Sequence, residues 1–412
     1  LKIGQLSKTY TISVDNIRYY INLGLLVPEK KNTQYIFNDK DEEDLQVILH
    51  LKKLRFTLKE IHQILSIRRV SNLVDPKDIH DLIHLYEDKK EQILTEKSVL
   101  ERIINDIDED IHSLSMIHTS KEANKTGVPL QSLSYLCCPT CMVPLKFKNV
   151  EMNHQYIFEG DLFCDCGYSA TIQDGIVLTQ NKNTSLYDQP DLEREFYLDI
   201  PPSLVSLFQK SYNWMMDKFD MTTMKNKVIL ETHINAYFFM HKHIMDMDKD
   251  ALYIVIDKFP EMISMYKKRI EYLNLDLNIL YIADNSVQYP IKEHSIDLFI
   301  DYFSTNEHCF YNNTYLVPSI RRYFHNHTEV IGTYFYFDPF SKSITNLCDK
   351  YPEAYVNNFN KEYFKGSTED AGFHIQDYNE IGFITKSGDN RAFSFHEDGE
   401  RMHMFSYHSV KK

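Results

Sequence analysis

Two closely spaced pairs of cysteines carry the plainest chemistry in this sequence. Cys138-Pro139-Thr140-Cys141 is followed, after 22 residues, by Cys164-Asp165-Cys166-Gly167. Two knuckles of thiolates can close a tetrahedral site, and Zn²⁺ is the ion that such a donor set suits. Four thiolates leave no open coordination position. The expected role is therefore structural, holding together a small module with too little core to fold alone. The second knuckle is C-x-C, not C-x-x-C, so Cys137 or His154 could replace one ligand. Five of the seven cysteines fall within residues 137–166, while Cys309 and Cys348 stand alone. The pattern reads as a metal site in a reducing cytoplasm, not as a disulfide framework.

A second set of candidates is made of acids at the ends of apolar runs. The runs are 227–231 (KVILE), 251–257 (ALYIVID), 277–284 (LNILYIAD) and 296–301 (IDLFID). They alternate with helical patterns, the signature of an α/β domain. Acids at the carboxyl ends of parallel strands point into the ligand crevice of an open sheet. Glu231, Asp257 and Asp284 are therefore candidates, with His233, Tyr237 and Tyr302 beside them. Tyr237, Phe238, Phe239, Tyr302, Phe303, Phe310, Tyr311, Tyr334, Tyr336 and Phe337 also fall near strand ends. Such a crevice suits an apolar or cationic small ligand, although most single rings of this kind belong to a core.

A third set lies near the amino end. Net charge is −14 over 412 residues, the wrong sign for a nucleic-acid binder taken whole. Residues 1–70, however, hold 12 Lys/Arg against 8 Asp/Glu. A basic module on an acidic body is the expected balance for a DNA reader with a separate effector domain. Ile3, Leu6, Val14, Ile17, Ile21 and Leu25 supply the buried spacing of two short helices. Ser13 is positioned to cap the second, which then exposes Asn16, Arg18 and Tyr19 to base edges and phosphates. Lys30, Lys31 and Tyr35 fall on a hairpin-like wing, and Lys52, Lys53, Arg55 and Lys59 form a further basic patch.

The elements that must position these residues separate along the chain. Ile79, Tyr86, Ile93, Leu100, Ile107 and Leu114 recur every seven residues. Leu82, Ile103 and Ile117 half-fill a second seam that Lys89, Glu96 and Asp110 interrupt, and Ile83, Ile104 and Ile111 widen the stripe. A sustained heptad predicts a coiled-coil homodimer. The expected organisation is a DNA-binding domain over 1–75, a dimerisation helix over 76–118, a polar linker over 119–134, a zinc module over 135–180 and an α/β domain over 190–412. No apolar stretch approaches the roughly 20 residues that a membrane span needs, and the first residues lack the apolar core of a signal peptide. A cytoplasmic location is expected.

Residues 2–70 resemble the MerR family throughout. The resemblance rests on KIGQLSK, VDNIRYY, GLLVP and DEEDLQVILHLKKLRFTLKEIHQIL, above all on Ile17-Arg18-Tyr19-Tyr20 with Gly24-Leu25-Leu26. It implies a winged helix-turn-helix, an antiparallel coiled coil and action with RNA polymerase at promoter DNA whose spacer is too long, which such regulators untwist and bend. DNA-binding residues would be Ser13, Asn16, Arg18, Tyr19, Lys31, Tyr35 and Lys53. Where the family has an arginine after the wing tyrosine, this chain has Ile36.

Residues 137–177, closing with Asp174-Gly175-Ile176-Val177, resemble the zinc ribbon that precedes some RNA methyltransferase domains. Residues 190–412 resemble class I S-adenosylmethionine-dependent methyltransferases, a Rossmann-like fold. By that resemblance Asp257 stands where a ribose-binding acid would be, and Asp284 near the adenine. The family's E/D-x-G-x-G-x-G loop is here Glu231-Thr232-His233-Ile234-Asn235-Ala236-Tyr237, with every glycine replaced. Side chains there would fill cofactor volume, and a left-handed residue would be tolerated only at Asn235. S-adenosylmethionine is not expected to bind, and no catalytic residue is assigned. The expected function is a DNA-binding regulator with a methyltransferase-like sensor or scaffold. The alternative is a bifunctional regulator that still methylates.

Overall fold

The computed structural model describes residues 1–412 apart from 32, 72, 118–123, 186–187 and 196–197, and gives the backbone alone for 114–117. It divides into two compact units, Leu1–Ser120 and Lys121–Lys412.

In the first unit, α1 (Ile3–Tyr10) and α2 (Val14–Asn22) precede a hairpin of β1 (Glu29–Lys31) and β2 (Gln34–Ile36). Then come α3 (Asp39–Lys53), α4 (Leu58–Ser71) and the long α5 (Pro76–Ile117). Local chemistry starts each of three helices. The Ser13 hydroxyl accepts from the Asn16 amide at 3.2 Å. Asn38 and Asp41, and likewise Thr57 and Glu60, cap reciprocally at the starts of α3 and α4. Gly24, at φ +70°, makes the turn after α2 that a side chain would strain. Leu6, Ile17, Tyr20, Leu45, Ile48 and Ile64 close one small core. Arg69 on α4 ties the unit together by donating to the Gly24 and Leu25 carbonyls and to Asp44.

The expected long helix is present, and its two seams have different partners. Leu82 and Leu85 pack on the unit's own core. Lys89 is buried, bonds Glu60 at 2.8 Å and lies over the Phe56 ring, while Arg55 pairs with Glu96. Lys89 and Glu96, two of the three polar residues that interrupt the second seam, thus face their own module. The first seam is partly covered at Tyr86, whose ring centre lies 5.1 Å from that of Phe56, but is open further along: Leu100 and Ile107 are each 51% exposed, and Ile103, Ile104 and Ile111 are exposed beside them. The side chains of Leu114 and Ile117 lie outside the described residues.

The second unit is built on a single sheet. Its first part holds β3 (Val128–Pro129), β4 (Lys146–Met152), β5 (Tyr156–Phe163), β6 (Ser169–Gln173) and β7 (Ile176–Leu178). Then follow α6 (Pro202–Met216), β8 (Val228–Thr232), α7 (Phe239–Lys242), β9 (Leu252–Asp257), α8 (Pro260–Tyr272), β10 (Asn278–Ala283) and β11 (Ile296–Tyr302). The chain ends with α9 (Ser304–Tyr311), α10 (Leu316–Ile320), β12 (Phe324–Phe337), α11 (Lys342–Lys350), α12 (Lys361–Asp370), β13 (Phe373–Ile384) and β14 (Met402–Lys411). The sheet order is β13-β14-β12-β11-β8-β9-β10-β7-β6-β5-β3, with β4 on β5. Strands β8 to β12 pair in parallel, and β14 runs antiparallel between β12 and β13. This is the Rossmann-like methyltransferase arrangement. Its topological switch point lies between β8 and β11, where a crevice opens at the strands' carboxyl ends. Strands β8 and β9 are buried at every position, as runs covered on both faces must be.

Two expected boundaries change. In the region read as a polar linker, 118–123 lie outside the described residues, but 128–135 form β3 and a tight 3₁₀ turn with Val128 and Ser132 fully buried. Gly127 there marks a close approach, not a flexible joint. A Cβ on Gly175, at φ +72°, would lie 2.5 Å from the Gly127 Cα. The cysteine module is also not set apart from the α/β domain. Ile176, Val177 and Leu178 of β7 pair in parallel with Tyr281, Ile282 and Ala283 of β10. The apolar run after Asp174-Gly175 covers a sheet edge that would otherwise be open.

Candidate functional site

On the first unit, the capped α2 presents Asn16, Arg18 and Tyr19 to solvent, Tyr19 at 50% exposure. Among the described residues, Arg18 is held only by exposed Asp15, at 3.5 Å. Lys31 on the hairpin pairs with Glu29 at 3.2 Å, and Lys30 lies over the half-buried Tyr35 ring. Lys53 is exposed at the end of α3. The capped α2, the hairpin and the end of α3 therefore carry the residues expected to read DNA.

In the cysteine module, the thiols of Cys138, Cys141, Cys164 and Cys166 all lie within 4.8 Å of one another. Cys138 Sγ is 3.4 Å from Cys166 Sγ, and Cys141 Sγ is 3.3 Å from Cys164 Sγ. Zn–S bonds of about 2.3 Å place tetrahedral ligands about 3.8 Å apart, so the cluster fits a metal ion such as zinc. Burial opposes ionisation of Cys138, but the amides of Cys141 and Thr140 and the neighbouring thiols overcome it and lower its thiol to about 7. Amides that favour a thiolate suit a metal ligand. Cys137 and His154 do not join the cluster. Cys137 is buried, its amide bonds the Pro290 carbonyl, and burial pushes its thiol up. His154 is exposed.

The crevice differs from expectation in which residues line it. A cavity of about 880 Å³ opens beyond the ends of β8, β11 and β12. Tyr237 and Tyr302 line it, but Glu231, His233, Asp257 and Asp284 do not. The strand-end acids are engaged by the protein itself. Glu231 accepts from the Phe239 and Met240 amides at the start of α7, at 2.5 and 3.0 Å. Asp257 accepts from the Asn235 and Phe259 amides, both at 2.9 Å. Asp301, at the fourth strand, accepts from the Thr305 amide of α9 and the Tyr407 hydroxyl. Each carboxylate satisfies amides that the following turn or helix leaves open. Asp284 holds the Asn181 side chain and the Ser286 amide. Burial pushes Glu231 up to about 8 and Asp257 up to about 7.

The loop that replaces the glycines is folded inward. Ile234 and Asn235 are buried, and the left-handed residue is His233, at φ 57°, not Asn235. His233 bonds the Thr232 hydroxyl at 3.0 Å and meets the His308 ring, and burial holds its imidazole well below its usual range. A strap, residues 188–195, ties onto this loop. The Asp191 amide donates to Asn235 Oδ1, and Arg194 donates to the Asn235 carbonyl at 3.1 Å. Asp257, the loop at Asn235 and the strap are thus bonded to one another where the resemblance would place S-adenosylmethionine.

The cavity is walled instead by the strap, by α9 and by residues 389–394. Phe303 and Phe310 of the expected aromatic set line it, with Tyr311. Phe238, Phe239, Tyr334 and Phe337 belong to the core, and Tyr336 stacks on His403. Sequence reading missed Asp188, Glu307, Tyr351, Arg391 and Phe393, which line the cavity from segments far apart in the chain. Lys258, next to Asp257, was also missed; it is buried between Asp188 and Glu307.

The family described as MerR HTH family regulatory protein matches residues 1–67. No curated protein matches the chain. Solved structures similar in fold to part of it include the MccD protein, at 11% identity, covering 52% of this chain and all of that one, with a TM-score of 0.39. A SAM-dependent methyltransferase from Aquifex aeolicus has 15% identity, covering 54% of this chain and 100% of that one, with a TM-score of 0.35. Geranyl diphosphate C-methyltransferase from Streptomyces coelicolor A3(2) has 8% identity, covering 56% and 90%, with a TM-score of 0.39. Among the described residues no helix is long and apolar enough to cross a membrane.

Proposed function

We propose that this chain, whose residues 1–67 form a MerR-type helix-turn-helix domain, is a transcription regulator that binds promoter DNA as a homodimer. Arg18 and Tyr19 anchor α2 in the major groove, Asn16 faces base edges, and Lys31, Tyr35 and Lys53 hold phosphates. The uncovered heptad face of α5 is the dimer seam. With two such modules a fixed distance apart, the dimer untwists and bends an over-long promoter spacer so that RNA polymerase can engage both elements. The Cys₄ cluster holds one structural Zn²⁺. The methyltransferase fold serves as a small-molecule receptor, not as an enzyme, and the cavity of about 880 Å³ is its ligand site.

The observation that carries the reading is the capped helix with an exposed Arg-Tyr pair beside a basic hairpin, within the matched family domain. Electrophoretic titration of the chain on its own upstream DNA and on random DNA tests it. Arg18→Ala weakens both and lowers the salt slope by about one. Undiminished promoter binding by Arg18→Ala contradicts the assignment. Methyl transfer is the rival reading, and the engaged acids Glu231 and Asp257 speak against it.

A further inference from the structure

The cavity wall contains an uneven ion triad. Lys258 Nζ contacts Asp188 and, at 3.0 Å, Glu307. It also lies 4.0 Å from the centre of the Tyr311 ring. Asp188 and Lys258 are buried and Glu307 nearly so, yet two carboxylates share one ammonium. Asp188 and Glu307 face the cavity with Tyr311, while Lys258 stands behind them. The unbalanced negative charge is therefore presented to the cavity, in surroundings where charge is poorly screened.

The rest of the lining has the same sign. Asp191, Glu193, Glu195 and Asp389 also border the cavity, against Lys350 and Arg391. Arg391 is engaged by Glu195 at 2.6 Å, and Lys350 donates to the Arg391 carbonyl and the Ser394 hydroxyl. Next to the triad, Phe310, Tyr311 and Tyr351 form a ring cluster, with Phe310 and Tyr351 centroids 4.6 Å apart and Tyr311 and Tyr351 centroids 5.6 Å apart. Lys258 already shows that the Tyr311 face accepts an ammonium.

We propose that the cavity binds an organic monocation, a quaternary or protonated amine on an aromatic or apolar body, with its charge seated between Asp188, Glu307 and the Tyr311 and Tyr351 rings. This rests on the reading of the cavity as a ligand site. The cation balances the triad and the rings hold the body by cation–π and apolar contact. Burial already raises the Asp188 carboxyl, as expected where one lysine serves two acids, and a second cation relieves that strain. Asp188 belongs to the strap that Asp191 and Arg194 fasten to the loop at Asn235, so a cation that draws Asp188 from Lys258 acts on the strap as well.

The test uses the full, metal-loaded chain and calorimetry with three probes: benzyltrimethylammonium, its uncharged carbon isostere neopentylbenzene, and benzenesulfonate. The cation is expected to bind at least about tenfold more tightly than the isostere, and the anion more weakly than either. In Glu307→Gln, which leaves Lys258 and Asp188 as a balanced pair, the preference for the cation falls towards unity. Equal binding of cation and isostere by the unaltered protein overturns the charge assignment but leaves the cavity as a receptor. Binding of none of the probes overturns the receptor reading and the cation with it. Tighter binding of the sulfonate overturns the sign of the site.

Discussion

Glu271 fastens the chain where it joins the second unit, and its removal has a calculable cost. One oxygen, Glu271 Oε1, accepts from Lys267 Nζ at 2.6 Å, from the Thr126 amide at 2.7 Å and from the Thr126 hydroxyl at 3.1 Å. Lys267 is only 1% exposed and Glu271 7%. Glu271→Ala leaves a buried ammonium without its counter-charge, which costs about 3–5 kcal/mol. The Thr126 amide also loses its acceptor, but that loss is not additive with the first because the same carboxylate serves both. Glu271→Gln also removes the counter-charge but keeps an acceptor oxygen for Lys267 and Thr126, so its cost falls below that of Glu271→Ala. Trp214, the single tryptophan, lies on α6 in this unit, so urea unfolding followed by its emission reports the change. Hydrogen exchange at the Thr126 amide should accelerate in Glu271→Ala, and at Asn124, which donates to Asn274, it should follow. A loss below about 1 kcal/mol with unchanged exchange at Thr126 refutes the reasoning.

Three further outcomes follow from other parts of the molecule. Leu100→Glu with Ile107→Glu, both on the uncovered α5 face, should give monomer mass in light scattering and lose promoter affinity; a dimer of unaltered mass contradicts the seam. Elemental analysis should give about one zinc per chain, kept in Cys137→Ser and lost in Cys166→Ser; the reverse result assigns the wrong ligand. Glu231 has a native value of about 8 against an ordinary 4.5, so the folded chain keeps a proton that the unfolded chain releases. Its contribution to stability is full below pH 4.5 and lost as pH rises through 8. Glu231→Gln should remove that slope, so the same slope in both proteins contradicts the burial account.

Much of this was legible in the sequence because the signals were local. Ser13 caps α2 as its place before Val14 suggests, the cysteine spacing brings four thiols together, and the buried strand runs fall within a residue or two of β8 to β11. The long helix α5 was legible for the same reason, and Lys89 and Glu96 interrupt its apolar pattern because they face Glu60 and Arg55. What could not be read depended on contacts between distant segments. An acid at a strand end looks the same whether it meets a ligand or a helix start, and Glu231, Asp257 and Asp301 all proved to meet backbone amides of the following turn or helix. The region 128–134 looked like a linker because it is polar and holds Pro129 near Gly127, yet the fold satisfies its polar groups: Ser132 bonds Pro129, and Leu130 bonds Gln155. Lys258 carried no motif at all, since Asp188 and Glu307 reach it from 70 and 49 residues away.

The central claim is that a methyltransferase fold here serves a DNA-binding chain without its usual cofactor. Calorimetry of the full, metal-loaded chain with S-adenosylmethionine and S-adenosylhomocysteine tests it most directly. The account predicts no saturable binding of either below about 1 mM, because Asp257 and the loop at Asn235 are bonded to each other. Saturable binding of either in the range of about 1–10 µM, abolished in Asp257→Ala, contradicts it.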